Sequence, residues 1–297
     1  MNKKSWMLAG AAGAGALAYW RQTRTTTEET EAQRPFATQY GPWAIVTGAA
    51  RAEGLGYGFA RRLAGRHLNL VLVDVQEAAL HARAAELRER YFVKVKPVVL
   101  DLGQPDFITH LLAETQGLEI GLLICNHMVT PKETPTILEM DLATHHLMLD
   151  VNARAYTTLI HTYGRQMAAQ GRGGVIIVSS QGGLCGTPYT GAYAANKAFQ
   201  LALGESLWYE LRGSGVDVEV LAPGLTDTQG DGLAGYPQVM VMPVEPVVTE
   251  ALARLGREHL VIPGPVNKLF NFVTTRLMSR RQALITNGDF MRRGLGK

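Results

Sequence analysis

The sequence predicts an α/β protein, a doubly wound parallel sheet of about seven strands with helices on both faces in a single domain, and three observations predict it. Short runs of Val, Ile and Leu recur along the chain, each followed by a stretch whose apolar residues fall three and four apart. The runs are nearly continuous rather than alternating, as strands buried on both faces are. Hydrophobic residues fill 46% of 297 positions, enough for one large core, and the chain offers neither a solenoid repeat nor a second region with a core of its own.

The elements follow in order. Residues 1–20 hold two lysines and an uncharged run from Ser5 to Trp20, which reads as a signal peptide with Ala16-Leu17-Ala18 as its cleavage site or as an uncleaved anchor. A helix over that run reaches roughly 24 Å at about 1.5 Å per residue, short of a hydrocarbon core of roughly 30 Å. Residues 21–40 are polar and aperiodic, a linker. The α/β domain spans 41–265. Its strands are expected at 43–47, 68–73, 93–100, 122–126, 174–179, 216–221 and 259–262, with helices beginning near Leu55, Gln76, Pro105, Leu138, Ala192 and Glu245. Residues 266–297 form a basic amphipathic extension.

The formal charge of +3 is unevenly placed, because the stretch from Val266 onward carries seven basic residues against Asp289 alone. The first 265 residues are therefore net acidic, and no basic stripe interleaved with aromatics points to nucleic acid. Two cysteines, Cys125 and Cys185, are too few for a disulfide framework and lack metal-ligand spacing. Both read as packing residues in a reducing compartment.

In a parallel sheet, ligands bind outside the carboxyl ends of the strands. After the first strand, Gly48, Gly54 and Gly56 open a helix at Leu55. Glycine lets the backbone approach a pyrophosphate, and the free N–H groups of a helix start attract its charge. Asp74 ends the second strand, where a carboxylate suits ribose hydroxyls and repels a 2′-phosphate. This favours NAD(H) over NADP(H), while Arg51 in the glycine loop argues the other way and a helix cap is the structural use of Asp74. Asp101-Leu102 and Asn126 follow the third and fourth strands on the adenine side, positions equally suited to turns.

The stretch SSQGGLCGTPYTGAYAANK, residues 179–197, completes the set. Ser180 lies thirteen residues before Tyr193 and twenty-eight after Asn152, and Lys197 follows Tyr193 by four. Together with Thr47, Gly48, Gly54, Gly56, Asp74, Asp101, Asn126 and Pro223-Gly224, this order from Trp43 to Ile262 resembles the short-chain dehydrogenase/reductase family. The resemblance implies a Rossmann-type fold, a nicotinamide cofactor and alcohol–ketone chemistry. Moving a hydroxyl proton requires an acid/base group. A phenol of ordinary pKa near 10 needs about 4 kcal/mol of help to ionise at neutral pH, which a cation one helical turn away supplies. Tyr193 is thus expected as acid/base and Lys197 as its cation. The resemblance further implies that Lys197 bonds the nicotinamide ribose and that Asn152 holds a relay water. Ser180 would donate to the substrate oxygen, whereas Ser179, Tyr189 and Tyr209 read as packing residues. Thr226 and Thr228, after Pro223-Gly224, are expected at the carboxamide or phosphates. The loop 231–243 suggests an apolar substrate, although its side chains equally suit a core or subunit contact.

Two departures stand out. The glycine loop is two residues longer than TGxxxGxG, and the fourth strand ends Cys125-Asn126-His127-Met128 where the family has NNAG. His127 reads as a substrate-site residue or a satisfied structural one. The apolar N-terminus and basic tail resemble the membrane-attached hydroxysteroid dehydrogenase and 3-ketoacyl-CoA reductase branch, with the catalytic domain in the cytoplasm and a small lipophilic substrate. The tail suits a membrane surface or a subunit contact in a homodimer or tetramer. The rival readings are a non-catalytic NAD(H) sensor or scaffold and an enoyl-thioester reductase.

Overall fold

The computed structural model describes residues 35–131, 133, 135–228 and 233–297, so the predicted segment 1–20 and all but the end of the linker lie outside the described residues. The chain divides into two units, and the larger, Phe36–Lys297, holds the elements below. Its strands are β1 Trp43–Thr47, β2 Asn69–Asp74, β3 Val95–Val99, β4 Ile120–Cys125, β5 Gly173–Val178, β6 Val216–Leu221 and β7 Leu260–Val261. All pair in parallel, in the order β3-β2-β1-β4-β5-β6-β7. These are the seven strands expected from the sequence, with ends shifted by a residue or two.

Ten α-helices accompany them among the described residues: α1 Phe36–Tyr40, α2 Leu55–Ala64, α3 Glu77–Tyr91, α4 Phe107–Glu114, α5 Leu142–Leu149, α6 Ala155–Gln170, α7 Gly191–Glu210, α8 Val244–Arg254, α9 Pro265–Phe272 and α10 Arg280–Gly294. On one face of the sheet, Phe59 and Leu63 of α2, Leu80 and Leu87 of α3 and Val248 of α8 pack on Val46, Leu70 and Leu72. On the other, Phe107 and Leu111 of α4 and Tyr156, Leu159 and Tyr163 of α6 pack on Ile45, Val71 and Leu123. Successive strand residues point to opposite faces, so both must be apolar. Each such side chain contributes roughly 1.5–3 kcal/mol of burial. Strand order reverses between β1 and β4, which opens a crevice at their carboxyl ends.

Two boundaries differ from expectation. The helix expected near Leu138 starts at Leu142, because the Asp141 side chain accepts from Thr144 N at 2.8 Å and caps it. From α5 the chain runs through a π-helical turn, Asp150–Arg154, into α6. The domain also starts earlier than residue 41: α1 lies in the expected linker, with Tyr40 buried. Arg172 Nη1 fastens α1 from outside by donating to the Thr38 and Gly41 carbonyls, at 3.1 and 2.6 Å.

Candidate active site

At the end of β1, Gly48 adopts a left-handed conformation, φ +67°, and a Cβ there would lie 2.9 Å from His127 Cα. A Cβ on Gly56 would lie 2.2 Å from the Gly48 carbonyl, so the first turn of α2 packs directly on the β1 turn. Gly56 is thus buried beneath the cleft, while Gly48, Gly54 and Leu55 line it. The loop's two extra residues are absorbed by a turn that Gly54 N closes onto Arg51 O at 3.0 Å. Backbone brought this close, at a helix start, fits a dinucleotide pyrophosphate.

The other cofactor-side residues share one cleft of about 700 Å³. Asp74 and Arg51 line its mouth. Asp74 accepts from Ala50 N at 3.0 Å and Gln76 N at 3.1 Å, which braces the glycine loop, and the first residue before α3 is Gln76 rather than Asp74. Asp101 closes its own turn through Gly103 N and Gln104 Nε2, with Leu102 beside it on the cleft wall. Asn126 lines the cleft and staples two strands, as its Nδ2 donates to the Thr47 and Gly48 carbonyls.

His127 is a satisfied structural residue. Its Nε2 faces the Val151 carbonyl at 3.0 Å, which only accepts, so Nε2 carries the proton and Nδ1 accepts from the Thr47 hydroxyl at 2.8 Å. Burial pushes its pKa down to about 3, and the ring packs against Tyr156 with centroids 4.4 Å apart. The bulk of this side chain, where the family has a small residue, joins β4 to the π-helical turn.

Ser180, Tyr193 and Lys197 meet at the centre of the cleft. The Ser180 hydroxyl accepts from Gly182 N at 3.1 Å, and its bond to the Tyr193 hydroxyl favours the phenolate. Burial acts more strongly and leaves Tyr193 above its ordinary pKa. Lys197, one turn along α7, is 4% exposed, and burial lowers its pKa to about 7. Its Nζ donates to Val178 O at 2.8 Å and Gln200 Oε1 at 3.0 Å, and it stands 5.7 Å from the Tyr193 ring centroid. Ser179 is structural as expected, donating to the Lys197 carbonyl at 2.7 Å.

Asn152 is brought to the Lys197–Gln200 pair and is tied down through both its side-chain amide and its carbonyl. Its side chain accepts from Val129 N at 2.8 Å and donates to Val129 O at 2.7 Å, so both ends of the amide clamp the segment after β4. Its carbonyl, in the π-helical turn, accepts from Gln200 Nε2 at 2.8 Å.

After β6, Pro223, Gly224, Thr226 and Thr228 line the same cleft. The Thr226 hydroxyl donates to Gly224 O at 3.2 Å, and the segment is pinned by Met242 N to Leu225 O at 2.9 Å. A Cβ on Gly224 would lie 2.6 Å from Asn267 Oδ1, so the turn and α9 touch.

The far end of the cleft and its surroundings refine three readings. Residues 266–297 are not an appendage: Asn267, Phe270, Asn271 and Thr274, then Asn287, Phe290 and Met291, form its wall. The signal is the spacing of three, four and seven along the first stretch and of three and four along the second, one face of a helical segment in each case. Cys185 is buried, as expected, and also lines this chamber, while Cys125 is wholly buried in the core. Tyr209 does not pack inside; it is 67% exposed beneath Arg212. Of the expected loop, Leu233 and Met240 reach the chamber, and residues 231 and 232 lie outside the described residues.

Residues 42–234 match the short chain dehydrogenase family. A 7beta-hydroxysteroid dehydrogenase from Collinsella aerofaciens is 37% identical over 237 residues, 77% of this chain and 89% of that protein. The structure of a 7beta-hydroxysteroid dehydrogenase solved for its stereoselectivity superposes with a TM-score of 0.80 at 32% identity, covering 89% of this chain and 100% of that one. A short-chain dehydrogenase from Sphingobium yanoikuyae in complex with NADPH gives 0.67 at 29% identity, over 75% of this chain and 87% of its own.

Proposed function

The chain belongs to the short-chain dehydrogenase family and is an oxidoreductase acting between CH–OH and C=O, and from that premise we propose a steroid-like, lipophilic secondary alcohol or its ketone as substrate. The chamber carries this reading. Leu184, Met240, Phe270, Phe290 and Met291 line the cleft with Tyr193, and among the described residues the charged side chains on it are Lys197, Arg51, Asp74 and Asp101. An apolar wall with a few amide and hydroxyl groups suits a rigid ring system carrying isolated oxygens.

A nicotinamide dinucleotide supplies the hydride donor or acceptor when bound. Gly48, Gly54, Leu55 and Gly56 are proposed to hold its pyrophosphate, Asp101, Leu102 and Asn126 its adenine side, and Pro223, Gly224, Thr226 and Thr228 its carboxamide. Asp74 at the ribose favours NAD(H), with Arg51 the opposing influence. Tyr193 takes the substrate's hydroxyl proton in oxidation and returns it in reduction. Ser180 donates to the substrate oxygen, where negative charge develops, and Lys197 supplies the cation that favours the phenolate.

A membrane surface is proposed on separate ground. Leu269, Phe272 and Leu277 stand exposed among Lys268, Arg276, Arg280 and Arg281, a mixture suited to anionic lipid. Among the described residues no helix is long and apolar enough to cross a membrane.

The test is turnover of a panel of hydroxysteroids and ketosteroids, with Tyr193→Phe as control. Steroid turnover that collapses in Tyr193→Phe supports the reading, and activity confined to small polar alcohols refutes the substrate class. Separate titrations with NADH and NADPH decide the cofactor, since tighter NADPH binding overturns the role given to Asp74.

A further inference from the structure

Gln200 lies wholly buried on α7, less than one turn beyond Lys197, and its side-chain amide joins two parts of the site. Oε1 accepts from Lys197 Nζ at 3.0 Å while Nε2 donates to the Asn152 main-chain oxygen at 2.8 Å. A lysine ammonium has three N–H donors. The Val178 carbonyl takes one at 2.8 Å and Gln200 the second, which leaves the third for the cleft that Lys197 lines. At its other end, the amide anchors this pair to the π-helical turn. Such turns interrupt the regular i→i−4 ladder, and here a carbonyl of the turn is bonded across to another helix.

We infer that Gln200 is a positioning residue for the reaction: its amide stands where a water would otherwise bridge Lys197 and Asn152, and it aims the lysine's remaining N–H into the cleft. Water in that place would exchange and reorient. A primary amide held at both ends does neither, and it does not readily take up and pass on a proton. The lysine is thereby fixed as a charge of defined direction. The signal in the sequence is faint, a polar residue three positions after Lys197 on the same helical face. Its meaning appears only when the fold brings Asn152 to it.

The inference rests on the reading of Tyr193 and Lys197 as the reacting pair, and the experiment separates the two. Turnover and binding are compared for the full chain and for Gln200→Met, Gln200→Glu, Lys197→Met and Tyr193→Phe. Binding is measured for NAD+ and for ADP, which contains only the adenosine half. Gln200→Met is expected to lower kcat about tenfold or more, the scale of one hydrogen bond to a charged group. It is also expected to weaken NAD+ severalfold while ADP affinity holds. Gln200→Glu keeps the acceptor for Lys197 but loses the donor to the Asn152 carbonyl, so NAD+ affinity falls less than in Gln200→Met. Its added carboxylate moves the lower limb of the kcat–pH profile upward. The titratable groups already around the ammonium are Tyr193 on its own helix, His127 after β4, and Tyr156 of α6 stacked on His127. An unchanged kcat and NAD+ affinity in Gln200→Met overturns the inference, as does equal weakening of NAD+ and ADP. If Gln200→Met does not fold, Gln200→Glu decides alone, and an unmoved profile refutes it. Should Lys197→Met or Tyr193→Phe keep turnover, the reading of the reacting pair falls instead.

Discussion

The Tyr40 hydroxyl donates a 2.7 Å hydrogen bond to the Asp217 carboxylate, joining the first described helix to β6 across most of the chain. Gln39 Nε2 adds a bond to Gly215 O at 3.0 Å. Tyr40→Ala is therefore expected to cost about 3–5 kcal/mol, as for other buried aromatics. Tyr40→Phe, which loses only the hydroxyl, should cost about 1–2 kcal/mol. Urea unfolding measures both, and a chain beginning at Gly41 should melt below one beginning at Pro35.

Gly48 sits where two demands meet, a positive φ and backbone contact with His127. Gly48→Ala is expected to cost about 1–3 kcal/mol of strain and to weaken dinucleotide binding by about the same energy, roughly fivefold to a hundredfold. Asn126→Ala leaves the Thr47 and Gly48 carbonyls without their side-chain donor, at about 1–3 kcal/mol. Calorimetric binding together with thermal melts distinguishes loss of the cradle from loss of the fold.

Glu219, in the middle of β6, is fully buried, and neither carboxylate oxygen has a partner among the described residues. Burial, with Glu258 and Glu250 adding repulsion, raises its pKa well above the usual carboxylate range. The native state therefore keeps a proton that the unfolded chain releases above about pH 4.5. Its contribution to stability falls as pH rises from there toward the folded pKa. Glu219→Leu should stabilise the protein by about 1–3 kcal/mol at pH 7 and remove this slope in unfolding measurements across pH 5–8.

Lys197 contributes the opposite slope. Burial lowers its pKa to about 7, so between there and its ordinary value near 10.4 the unfolded chain binds the extra proton, and stability rises with pH. Lys197→Met should flatten that rise and abolish turnover, while the Val178 carbonyl and Gln200 Oε1 it leaves without a donor offset the gain from removing a buried charge. Melting temperatures at pH 7 and 9, set beside kcat, check both halves.

The strands were legible because burial on both faces leaves little but Val, Ile and Leu in them; β1 and β6 fall at their expected bounds. Ser180, Tyr193 and Lys197 were legible because a short strand–loop–helix joint preserves their spacing in space. The helix α1 was not, since five residues, FATQY, are too few to display a period. The tail's charge speaks only for its exposed side; its part in the chamber wall is written in its helical periodicity. His127 allowed two readings until Thr47 and Val151 were seen at its two nitrogens. Asn152 and Gln200 lie 48 positions apart, and no local pattern links them.

The wall built by α9 and α10 has a consequence for how such a protein diversifies. The side chains proposed to react, Ser180, Tyr193 and Lys197, come from the loop after β5 and from α7, whereas much of the chamber wall comes from residues 265–297. Reaction and preference are thus written in separate segments. Mutation or recombination confined to the last segment can redirect the protein to new molecules while the hydride chemistry is inherited intact.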